Sequence, residues 1–161
     1  MDSMAKIYIQ RALNEISVAK VLFTVSNDER KKQEFLLEEE TTFFSSVISH
    51  SYYAIFYGAK AILLTKNIKT EAPDVHKKTY EAFEEHFVKT GIIDVELLNI
   101  YKKMIVKADE LLQIFKDEKW KRGHFTYQTI SQANKEPAEQ SIQNAVTFVK
   151  NNRLIIENSK P

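Results

Sequence analysis

One stretch of the sequence, residues 42–66, constrains the fold most, because as a helix it is apolar on most of its faces. Residues 45–67 read SSVISHSYYAIFYGAKAILLTKN. A helix without a broad polar face must be covered by other helices, so this stretch predicts the central helix of a bundle. Its longest apolar run, residues 52–64, is interrupted by Lys60 and is too short to span a bilayer. We therefore expect a soluble, cytoplasmic protein without membrane association.

Apolar residues at helical spacing predict four further helices, over about residues 5–25, 73–91, 94–122 and from 137 onward. Pro73 and Pro137 are expected in first helical turns, and Gly91 is expected after a last turn. Residues 27–44 are dense in both signs of charge and are predicted to be a solvated loop or a short extension of either helix. No strand pattern is visible. The predicted fold is all-α, an up-and-down bundle of four to five helices in one domain spanning residues 1–161.

Composition narrows the chemistry. The chain has no cysteine, which excludes disulfides and thiolate metal sites. His76 and His86 do not share a helix face, so the sequence predicts no metal and no cofactor. The formal net charge is only +1, so a nucleic-acid partner would have to be held by a local patch.

Such a patch is present between Lys116 and Tyr127, where basic and aromatic residues alternate. Cations neutralise phosphate while rings stack on unpaired bases, which suits a nucleotide or single-stranded RNA. The predicted binding residues are Lys119, Trp120, Lys121 and Arg122, followed by His124 and Tyr127. The alternative is structural: the lysines favour the end of a helix dipole, Gly123 caps the helix, and Trp120 belongs to the core.

A second group follows one face of the central helix. Its members recur at helical spacing and are His50, Tyr53, Tyr57 and Lys60. They either line a ligand cleft or meet their copies at a dimer seam, and we favour the seam of a two-fold homodimer. His76, at the start of the third helix, either contacts phosphate there or hydrogen-bonds a neighbour.

Four pieces in order carry a family resemblance: Tyr-Tyr-Ala with Phe-Tyr in the central helix, His76, EEHFVKTGIID at residues 84–94, and RGHFTY at residues 122–127. Together they resemble the HEPN family (higher eukaryote and prokaryote nucleotide-binding domain). The resemblance implies a helical bundle that commonly dimerises. Many members cleave RNA without metal, using an Arg and a His separated by four to six residues. Others bind nucleotides or accompany a nucleotidyltransferase.

The chain departs from that Arg–His motif. Four residues separate Arg122 from Tyr127, and four separate Lys119 from His124. We favour the Arg122–Tyr127 register, which predicts binding with little or no cleavage because tyrosine, with a pKa near 10, is a poor base.

The resulting prediction is a nucleotide- or RNA-binding partner of a nucleotidyltransferase in a toxin–antitoxin-type pair. One alternative is a metal-independent ribonuclease toxin, and another is a structural dimerisation module without ligand. A histidine phosphotransfer bundle built on His86 is disfavoured, because Gly91 would end its helix almost at once.

Overall fold

The computed structural model describes residues 3–120 and 135–159, with side chains described for 3–110 and 135–159. Six α-helices occupy this part of the chain. They are α1 (Ser3–Asn27), α2 (Glu29–Glu34), α3 (Phe44–Leu63), α4 (Val75–Phe83), α5 (Val95–Trp120) and α6 (Lys135–Asn158). No strand occurs in these ranges, so the predicted all-α bundle is confirmed.

The central position of α3 is also confirmed. Helices α1, α4, α5 and α6 all pack against it, and most of its side chains are buried. Helices α1 and α3 are antiparallel: Phe23 lies beside Phe44 at one end, with ring centroids 5.8 Å apart. At the other end Tyr8 stacks on Tyr57 at 6.1 Å. This pairing decides which side chains share the outer face of α3.

Gly58 lies on the side of α3 that packs against α6. A Cβ atom at this position would lie 3.4 Å from Cγ2 of Val149 and 3.6 Å from the ring of Phe148. These are ordinary van der Waals distances, so a methyl group would fit, whereas a side chain larger than alanine would push the helices apart. Position 58 thus lies where α3 and α6 are in direct contact.

An aromatic cluster joins the remaining helices. Phe83 at the end of α4 lies with its ring centroid 5.2 Å from that of Phe148 on α6 and 6.0 Å from that of Tyr101 on α5. Phe87 belongs to a π-helical turn, Glu84–Val88, that continues α4. All four rings are fully buried, so the cluster is the point at which three helices meet.

Two predicted boundaries are wrong. Residues 27–44 contain a separate helix, α2, because Asp28 caps it by accepting from the backbone N–H of Lys31. The buried Lys32 then ties the following loop down by donating to the carbonyl of Glu39. Pro73 is not in a helical turn, since Asp74 has φ +59° and α4 begins only at Val75. Gly91, at φ +73°, ends its helical run as predicted.

Candidate functional site

A group of aromatic and imidazole rings, some exposed and some buried, lies along α3 and extends onto α1 and α4. We call it the ring patch; its members are Tyr8, Tyr52, Tyr53, Phe56, Tyr57 and His76. Successive rings are in contact, because Tyr53 and Tyr57 occupy neighbouring turns of α3, with centroids 6.4 Å apart. Tyr53 also meets the edge of His76 at 5.9 Å. Tyr53 is the most exposed ring of the patch, at 41%.

Two cations border the rings. The guanidinium carbon of Arg11 lies 5.7 Å from the Tyr57 centroid. The ammonium of Lys60 lies 5.0 Å from the Tyr8 centroid and donates to the carbonyl of Thr70 at 3.0 Å. An ammonium has three donors, and the described contacts use one of those of Lys60. The patch therefore combines aromatic faces with positive charge.

His50 lies on the same face of α3, nearer its start. Its Nδ1 is 2.5 Å from a carboxylate oxygen of Glu15 on α1. The pair is partly exposed and clamps α1 to α3. His50 therefore already has a partner, Glu15, within the same chain.

His76 is held by α3 and not by its own helix. Its Nδ1 is 2.9 Å from the hydroxyl of Tyr52, and its ring stacks on Phe56 with a centroid distance of 4.2 Å. Burial lowers the pKa of His76, and the nearby ammonium of Lys60 lowers it further. Burial, with smaller contributions from Tyr53 and Asp109, raises the pKa of Tyr52 to about 12. Both groups are therefore neutral at pH 7.

The charge of Asp109 on α5 is one of the smaller causes of the raised pKa of Tyr52. The same helix continues to Trp120. Lys119 and Trp120 thus lie in its last turn, as predicted, although their side chains are outside the described ones. Lys121, Arg122, His124 and Tyr127 lie outside the described residues.

Most of the residues predicted to form the dimer seam on α3 instead contact other residues of the same chain. His50 pairs with Glu15, Tyr57 stacks on Tyr8, and Lys60 donates to Thr70. Of the four residues predicted there, Tyr53 is the one classed as exposed. The structure also brings His76 to this group, which the sequence had treated separately.

Sequence reasoning missed the contributions of α1 and the inner edge of α3. On α1, Tyr8, Arg11 and Glu15 recur at helical spacing beside the apolar stripe, and this recurrence was the available signal. On α3, Tyr52 and Phe56 are four residues apart and so share a face, but they were used only for the family resemblance and were given no role in a site.

A cleft of about 970 Å³ is lined by residues of α5 and α6, among them three lysines and two glutamates: Lys102, Lys103, Lys107, Glu96 and Glu136. Its mixed charge gives no preference for one ligand. Within residues 3–120 and 135–159 no cluster of His, Asp and Glu has the form of a metal site, and no helix has the length and apolarity needed to cross a bilayer.

Comparison with known proteins gives three similar chains. A protein of Methanocaldococcus jannaschii named as a putative toxin is 31% identical over 88% of this chain and 80% of its own length. A second protein of that organism with the same description is 34% identical over 44% of this chain and 50% of its own length. A UPF0332 protein of Thermotoga maritima is 37% identical over 37% of this chain and 42% of its own length.

No solved structure matches the chain significantly. The model of the HEPN domain matches residues 19–153, a span that includes α3, α4, α5 and nearly all of α6. This is the family that the central helix, His76 and the RGHFTY segment resemble. The chain belongs to the HEPN domain family.

Proposed function

We propose that this protein binds single-stranded RNA or a nucleotide through the ring patch and the basic segment that follows α5. The observation that carries the proposal is the contact of exposed Tyr53 with its neighbouring rings, bordered by Arg11 and Lys60. Bases stack on such rings irrespective of sequence, and the cations meet the phosphates. The predicted residues Lys119, Trp120, Lys121, Arg122 and His76 complete the proposed site.

Two relatives are named as putative toxins, which supports a toxin-type role for this chain. In our proposal the protein forms a toxin–antitoxin-type pair with a small nucleotidyltransferase, as the family resemblance implies. A neighbouring gene for such an enzyme is the check. The same names favour a second candidate, a metal-independent ribonuclease in which Arg122 acts with Tyr127, or His124 with Lys119.

Substitution of Tyr53 by alanine is expected to weaken binding of a short single-stranded RNA by about tenfold, because one stacked base contributes about 1–3 kcal/mol. The measurement is fluorescence anisotropy with a labelled RNA in the presence of a chelator. The matched control is Phe35→Ala, since Phe35 is also an exposed ring but lies at the other end of the α1–α3 pair. Equal affinities of the two variants would show that the ring patch is not the binding surface.

The same labelled RNA, incubated with further variants, distinguishes binding from cleavage. With Arg122 and Tyr127 as the operative pair, we expect intact RNA and loss of binding in Arg122→Ala. Metal-independent cleavage that disappears in His124→Ala but persists in Tyr127→Phe would establish the ribonuclease, because a near-neutral imidazole is the competent acid or base. A protein that neither binds nor cleaves RNA or nucleotide would leave the structural dimerisation module.

We also propose a two-fold homodimer. A contiguous exposed apolar patch usually indicates a partner. Ile7, Val18 and Val21 are exposed at helical spacing on the face of α1 that also carries Arg11. Light scattering at micromolar concentration should give the mass of two chains. A pair of aspartates in place of Val18 and Val21 should give one chain, because an isologous seam would then bury repeated charge.

The control for the dimer is Ile92→Asp, which changes an equally exposed apolar residue in the turn between α4 and α5. It should leave the dimer intact. A wild-type protein with the mass of one chain would refute the proposal.

A further inference from the structure

The ring of His76 is fixed on several sides by α3. Tyr52 reaches its Nδ1 at 2.9 Å, Phe56 stacks on one face at 4.2 Å with the planes 27° apart, and Tyr53 presents its edge at 5.9 Å. A ring that is hydrogen-bonded at one nitrogen and stacked has little freedom to turn. Its second nitrogen, Nε2, therefore has a defined direction.

The direction of the Tyr52–His76 hydrogen bond follows from the donors available. A phenol is a good donor and a weaker acceptor, and within the described residues Nδ1 of His76 is the hydrogen-bond partner of the Tyr52 hydroxyl. If Nδ1 carried a proton and donated it, the half-buried phenol hydrogen would lose this acceptor at a cost of about 1–3 kcal/mol. Tyr52 keeps its proton at neutral pH, since its pKa is raised to about 12. The hydroxyl therefore donates and Nδ1 accepts.

The charges around His76 favour the neutral ring. Three titratable groups of α3 face it: Tyr52, Tyr53 and Lys60. Lys60 is the charged one, and its ammonium opposes a second positive charge on the imidazole. On α5, Asp109 acts on Tyr52. A neutral imidazole whose Nδ1 accepts must carry its proton on Nε2.

We infer that Tyr52 is a positioning residue that holds His76 as the neutral Nε2–H tautomer, so that His76 meets the ligand as a hydrogen-bond donor and not as a cation. Within the described part of the chain, Nε2 has no hydrogen-bond partner, and the side chain is half-buried at the edge of the ring patch. Acceptors of the matching kind are phosphate oxygens and the carbonyl groups of bases. The ligand in this inference rests on the proposed function, whereas the tautomer does not.

The tautomer is tested without ligand, by long-range ¹H–¹⁵N correlation of the imidazole nitrogens as pH is varied. In the wild type, Nδ1 should be unprotonated and Nε2 protonated at pH 7, with a His76 pKa below the usual 6.5. In Tyr52→Phe the two tautomers should mix, because the hydroxyl that donates to Nδ1 is lost. A purely structural role of Tyr52 would not change the tautomer.

The matched control is Tyr53→Phe, which removes the hydroxyl of the adjacent tyrosine while keeping its ring against His76. It should leave both nitrogens as in the wild type. A protonated Nδ1 in the wild type would overturn the inference, as would identical spectra of the wild type and Tyr52→Phe.

The role towards the ligand is tested with the same short RNA. His76→Gln retains an N–H donor without charge and should bind within about threefold of the wild type, whereas His76→Ala should bind about five- to tenfold more weakly. Neither should change the slope of log K against log salt, because a neutral donor releases no counterion. A slope reduced by about 0.7 in His76→Ala would mean that His76 acts as a cation and would overturn the inference.

The two failures can be told apart. If the wild-type protein binds neither RNA nor nucleotide, the proposed function and the ligand role of His76 fail together. The positioning role of Tyr52 is still decided by the imidazole spectra.

Discussion

Replacement of Phe83 by alanine is expected to lower the free energy of unfolding by about 3–5 kcal/mol, which is a large part of the stability of a domain of this size. Phe83 is fully buried, and its ring contacts those of Phe87, Tyr101 and Phe148. Its loss leaves a cavity where α4, α5 and α6 meet. The measurement is urea unfolding followed by circular dichroism.

Two further variants serve as controls for the effect of Phe83→Ala on stability. Phe35→Ala removes the same ring from a site that is 63% exposed, and its effect should stay within about 0.5 kcal/mol. Phe83→Leu keeps most of the volume and should cost about 1–2 kcal/mol, which provides a measurable protein if the alanine variant does not fold. A loss below about 1.5 kcal/mol in Phe83→Ala would contradict the central role of the aromatic cluster.

Replacement of Asn152 by leucine is expected to stabilise the protein by about 1–3 kcal/mol. Asn152 is fully buried on α6, and within the described residues neither its amide nitrogen nor its amide oxygen has a hydrogen-bond partner. Burying an unpaired amide is costly, and an apolar side chain of similar size removes that cost. The readout is the shift of the urea midpoint at constant m-value.

Asn151 provides the comparison for this substitution. It is the neighbouring asparagine of the same helix, and its amide donates to the carbonyl of Thr147 at 2.8 Å. Asn151→Leu should change stability by less than about 0.5 kcal/mol, because that amide is largely satisfied near the surface. Destabilisation of Asn152→Leu by more than 1 kcal/mol would mean that the buried amide is paired in the folded protein.

The long helices were predictable because their apolar residues recur over many turns. Residues 5–25 and 42–66 were predicted within a few residues of α1 and of α3 with its final 3-10 turn. The errors lie where tertiary contacts override local sequence. Lys32 is buried, and its ammonium donates to the carbonyl of Glu39. No periodic pattern predicts that a lysine in a charged segment will be buried.

For the candidate site, the sequence identified residue types but not their partners. It placed His50, Tyr53, Tyr57 and Lys60 on one face of α3, and the structure agrees with that placement. The partners of these residues come from α1, from the loop before α4 and from α4 itself, and they depend on how the helices pair. Pairing is set by packing over long sequence separations, so it could not be derived from spacing within one helix.

The antiparallel pair of α1 and α3 has a consequence for the order of folding. Its cross-contacts join Phe23 with Phe44 near the α2 connection, Glu15 with His50 midway, and Tyr8 with Tyr57 at the far end. Closing a loop costs more entropy as the loop lengthens, so the contact nearest α2 is the cheapest to form and each later one extends an existing hairpin. The ring patch lies at the end that closes last.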